Sequence, residues 1–175
     1  MNDHPFESLP PAPDNLWPKI SPRSPSNQSL LSEMLPASLL DVAGVVGRAV
    51  HLEMQSSGEY AAKAAMPPGR LRPHEIHLRR VELQFHSRLH AESAARLLNF
   101  YEVVHDQALG QGAASLPTPG QLKEAATRTY RMGLRDELAL QHQIQVLKVE
   151  KPGFNDELFG QLKKNAFGHG AKHHR

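Results

Sequence analysis

Proline placement limits this chain more than any other feature of its sequence. Eight of the 14 prolines (Pro5, Pro10, Pro11, Pro13, Pro18, Pro22, Pro25 and Pro36) fall within the first 36 residues. Proline fixes φ, removes a backbone donor and breaks helix interiors, so this head is expected to be disordered or extended. The remaining prolines stand at Pro67, Pro68, Pro73, Pro117, Pro119 and Pro152. Between them lie three long stretches that no proline interrupts, and their patterns read as helix.

The first stretch repeats Leu39, Val42, Val46, Ala49 and Val50 at three- and four-residue spacing, a helical stripe with Ser38 as its expected N-cap. The second is expected to start at Pro73 and run to Leu109, ahead of Gly110. Its later half carries Ala94, Leu97, Leu98, Tyr101, Val104 and Ala108 on one side. Its earlier half carries Leu78, Val81, Phe85 and Leu89, which are expected to face inward. The third covers 121–149, with Leu122, Ala126, Tyr130, Leu134, Leu138 and Ile144 aligned. Strict alternation at 81–86 and 138–146 offers a competing strand reading, in which the body becomes a strand–helix–helix–strand α+β unit. Abundant Leu, Ala, Glu, Gln and Arg favour helix, and two strands alone make a poor sheet.

The expected fold is therefore all-α: an antiparallel bundle of about three long helices, with a short C-terminal helix over 155–167. The head spans 1–35, the helical domain 36–167, and a basic tail 168–175. The longest apolar run, LLDVAGVVGRAV, is broken by Asp41 and Arg48 and cannot span a bilayer. The start of the chain lacks the basic and apolar regions of a secretory signal, and there is no cysteine. Together these point to a cytoplasmic protein without disulfides, thiolate metal sites or cysteine nucleophiles.

Residues 74–90, HEIHLRRVELQFHSRLH, carry four histidines and three arginines. On a helix, Glu82, His86 and His90 share a face, the spacing that a divalent cation would use. A zinc-protease pattern needs glutamate directly after the first histidine, however, and Ser87 stands there. A solvated helix face is the simpler reading: His86 and His90 are expected to be exposed on the flank of the helix. No metal or cofactor is expected.

For nucleic acid, the candidate phosphate contacts are Arg79, Arg80 and Arg88, with a second flank of Arg128, Arg131 and Arg135 beside Tyr130. Interspersed glutamates keep the local charge low, and the net charge of +2 is far from that of a dedicated nucleic-acid binder. Phosphate-binding loops, nucleophile elbows and dinucleotide fingerprints are absent. His105 beside Asp106 is expected to be a mere dipeptide, since adjacent helical side chains point about 100° apart.

The sequence thus favours a non-enzymatic helical module that binds another protein, as an adaptor, accessory or regulatory protein that can also form homo-oligomers. Phe6 and Trp17, isolated in the proline-rich head, are its candidate anchors. A small nucleic-acid-associated regulator is the alternative.

Overall fold

A computed structural model describes residues 12–20, 31–66, 72–113 and 116–150. They contain three long helices: α1 (Pro36–Ala65), α2 (Pro73–Gly110) and α3 (Pro119–Glu150). No strand occurs among the described residues, and both alternating runs are helical. The expected helix at 155–167, the tail and Phe6 lie outside the described residues. Among the described helices, none is long and apolar enough to cross a membrane.

Each helix opens on a proline, whose fixed φ suits a first turn that has no carbonyl to bond. α1 starts at Pro36 with Leu35 at the cap position and no side-chain cap, so Ser38 lies inside the helix and is not its N-cap. α2 starts at Pro73, and the Glu75 carboxylate accepts the Arg72 backbone N–H at 2.9 Å. α3 has a reciprocal cap. The Gln121 N–H donates to the Thr118 hydroxyl at 3.2 Å, and the Thr118 N–H donates to the Gln121 side chain at 2.9 Å. At the end of α2, Gly112 takes φ +77°, and the Ala113 N–H reaches back to the Ala108 carbonyl at 3.0 Å. This closes the helix in the left-handed manner that glycine permits.

The chain divides into two compact units, residues 1–138 and 139–175. The second contains the end of α3, where Leu140 and Val146 are exposed. In the first, α1 and α2 run antiparallel, with Ser57 opposite Ser87 and Glu53 opposite His90. α3 runs alongside α1 in the same direction: Gly47 lies beside Leu122, His51 beside Thr129, Gln55 beside Gly133 and Lys63 beside Glu137.

Leu39, Ala43, Val46, Val50 and Met54 of α1 form the core with Ala94, Tyr101, Val104 and Ala108 of α2. Leu122, Ala126 and Tyr130 of α3 complete it. α1 and α3 approach closely at two glycines. A β-carbon at Gly58 would collide with the Tyr130 carbonyl oxygen, and one at Gly133 with the Gln55 carbonyl oxygen, so the two backbones touch there.

Part of the head belongs to this core. Leu16 and Leu31 are buried in it, although both lie in the region expected to be disordered or extended. Trp17 packs against the core and donates its indole N–H to the Thr127 hydroxyl at 3.0 Å, while Lys123 sits 5.6 Å from the ring centre. Thr127 can accept because its own proton goes to the Lys123 carbonyl, at 2.8 Å.

Candidate functional site

α2 meets α1 through small residues. The Ser57 hydroxyl donates to the Ser87 carbonyl at 2.8 Å, and the Ser87 hydroxyl returns a bond to the Ser57 carbonyl at 2.9 Å. Short side chains let the backbones approach, and each hydroxyl satisfies itself on the opposing helix. Ala91, Ala94 and Ala95 continue the buried line along α2.

That contact sets the rotation of the helix and reverses the expected orientation of residues 74–90. One turn from Ser57, the Tyr60 ring stacks with His86 at 5.1 Å between centres and with His90 at 5.4 Å. His90 also places its Nδ1 2.7 Å from a Glu53 carboxylate oxygen, and Lys63 approaches the Tyr60 ring to 5.3 Å. His86 and His90 are therefore half-buried against α1 and do not form an exposed flank.

The apolar stripe takes the place assigned to the histidines. Leu78 is 65% exposed, Val81 48%, Phe85 60% and Leu89 45%. The expectation that these four face inward is overturned, because smallness and not apolar bulk decides which side of α2 lies on α1. These four large side chains form an exposed row on one helix face, and contiguous apolar surface of this kind marks contact sites.

The metal candidates do not converge. His90 is engaged by Glu53 and His86 by Tyr60, Glu82 is exposed, and no group of three metal-ligating side chains occurs among the described residues. The arginines are divided between two helices, with Arg79, Arg80 and Arg88 on α2 and Arg128, Arg131 and Arg135 on α3. Three of them have acidic neighbours on their own helix: Arg88 with Glu92 at 3.4 Å, Arg128 with Glu124 at 3.1 Å and Arg135 with Asp136 at 2.9 Å. Such pairing lowers the positive potential available to a phosphate backbone.

Trp17 is docked on its own domain, which leaves only part of its surface for a partner. His105 departs from expectation too. It is buried, and its Nδ1 lies 3.2 Å from an oxygen of the neighbouring, exposed Asp106. The stacked cluster of Tyr60, Glu53 and Lys63 was missed from sequence, although Glu53 and Tyr60 stand seven residues apart and thus share a helix face. An open cavity of about 660 Å³ lies between residues 13–19 and the helices, lined by Leu16, Ala61, Ser87, Arg88 and Tyr130 among others.

No family model, curated protein or solved structure shows significant similarity to this chain.

Proposed function

We propose that this protein is a non-enzymatic, cytoplasmic interaction module, an adaptor or regulatory protein, whose docking face is the outer side of α2. The observation that carries this reading is the solvent-facing row of Leu78, Val81, Phe85 and Leu89. Leaving four such side chains about half in water forgoes roughly half of the 1.5–3 kcal/mol that full burial of each supplies, which a partner's apolar surface recovers on binding. The face lies on a continuous helix braced by the Ser57–Ser87 contact and the Tyr60 stack, so little ordering cost attends its recognition. Docking through this face replaces Trp17 as the main anchor, since the indole is already engaged by Thr127.

Affinity capture with the wild type and with a Leu78→Glu/Phe85→Glu variant tests the reading. The variant is expected to keep its helical circular dichroism and to lose the proteins that the wild type retains. Retention of the same proteins by both would remove α2 as the docking face. The competing nucleic-acid reading predicts binding to mixed DNA and RNA that collapses between 50 and 200 mM salt, on the order of 10³-fold for six phosphate contacts.

A further inference from the structure

We infer that the apolar face of α2 is completed by a second copy of this chain, packed against it with α2 antiparallel. The inference rests on the docking face proposed above and names its occupant.

Six positions follow the outer line of α2: His74, Leu78, Val81, Phe85, Leu89 and Glu92. At about 100° per residue they all fall within roughly 40° of the Phe85 direction. Their spacings of three and four are almost the same read in either direction. A two-fold axis crossing the helix near the height of Leu83 therefore brings the line onto itself reversed. Val81 then meets Phe85 of the second copy, Leu78 meets Leu89, and His74 meets Glu92. Symmetry makes each contact twice, as an isologous interface requires.

The ends of the line choose the direction. Reversed, an imidazole at each end faces a carboxylate, and a histidine N–H donates to a carboxylate whether or not the ring is charged. Run in the same direction, the line would set Glu92 against Glu92 and His74 against His74. The side chains available for these contacts are open: His74 is exposed, and Glu92 is half-exposed beside Arg88. The antiparallel pairing has one unfavourable approach. Glu82, exposed and close to the axis, nears its own symmetry mate, and Arg79, three residues earlier on the same flank, moderates the repulsion.

Size sets the strength. Leu78 to Leu89 spans about 16 Å of helix, a smaller patch than the roughly 800 Å² per partner of a standard interface. The pairing is accordingly a reversible one that appears with concentration.

The absence of cysteine from the chain provides a clean reporter. Leu78→Cys and Leu89→Cys proteins are oxidised mildly, each alone and as an equimolar mixture, and sedimentation velocity is run on the parent chain over a range of concentrations. The expected results are a concentration-dependent dimer and a disulfide yield in the mixture several-fold above that of either protein alone. Phe85→Glu should weaken dimerisation at least tenfold, with Phe85→Gln as the milder control for folding. Glu82→Gln should tighten it, because it removes the like-charge approach. Self-linking of each single-cysteine protein without preference for the mixture would overturn the antiparallel arrangement. A chain that stays monomeric at all concentrations would overturn the second copy as occupant. In that case, loss of captured proteins by Leu78→Glu/Phe85→Glu would still leave the docking face standing, whereas retention would remove both.

Discussion

At Gly58 and Gly133 a single hydrogen in place of a methyl group lets two helix backbones touch. Because the clashing atoms are carbonyl oxygens and an amide, not side-chain ends, neither site can yield without moving a helix. Gly58→Ala and Gly133→Ala are each expected to cost about 2–3 kcal/mol, the upper range for overpacked cores, read as a lower urea midpoint. Gly110 has open space around it, so Gly110→Ala should be neutral or slightly stabilising. Tyrosine chemistry gives a second test at this scale. Burial raises the hydroxyl pKa of both Tyr101 and Tyr130, so the folded chain holds these protons more tightly than the unfolded chain. Stability is then full below the ordinary tyrosine range, about pH 10, and falls as pH rises through it toward the raised folded values. Tyr130→Phe should flatten the loss measured between pH 9 and 11. Tyr101→Phe should flatten it as well, at a cost of about 1 kcal/mol near neutrality for the hydrogen bond to the Pro117 carbonyl.

Helix boundaries were readable because proline and capping residues act locally. Pro73 starts α2 where expected, and the Thr118–Gln121 box starts α3 two residues before the expected position. The box should be severable: Thr118→Ala is expected to cost about 1 kcal/mol, seen as a drop in thermal midpoint. The inner line of the later half of α2 was legible too, since Ala94, Tyr101, Val104 and Ala108 are all buried as their spacing implies. The earlier half was not. There the contact with α1 is made by Ser57 and Ser87, and serine carries no hydropathic signal. Large apolar residues draw the eye, and a helix with apolar residues on two faces offers two possible phases. Close packing chose the face with the smaller side chains, which turned His86 and His90 onto Tyr60 and left Phe85 outside. The candidate site was therefore visible as a segment and misread as an orientation. Leu16 and Leu31 escaped for a related reason: the short apolar pairs Leu16–Trp17 and Leu30–Leu31, set among prolines and polar residues, have no period to betray burial.

For the molecule as a whole, the three-helix arrangement within residues 1–138 holds a core to which all three helices contribute, with alanines on each of them. Such a core gains stability from closeness as well as from side-chain bulk, and Leu78, Val81, Phe85 and Leu89 of α2 are left over on its surface. This division yields a quantitative contrast. Met54 is fully buried, so Met54→Ala should cost about 2–5 kcal/mol, combining lost transfer energy with the cavity it leaves. Leu78 and Phe85 are mostly in solvent, so Leu78→Gln and Phe85→Gln should each change monomer stability by about 0.5 kcal/mol or less. Urea denaturation at a protein concentration well below that needed for self-association measures the monomer alone. Repeating it at high concentration adds the association term, because anything that binds only the folded state raises apparent stability by mass action. The wild type should therefore gain stability with concentration, the Gln variants should not, and the difference between the two series should vanish on dilution. If Phe85→Gln were as costly as Met54→Ala at every concentration, some part of the same chain would have to cover the α2 face, and an intermolecular role for the stripe would be lost.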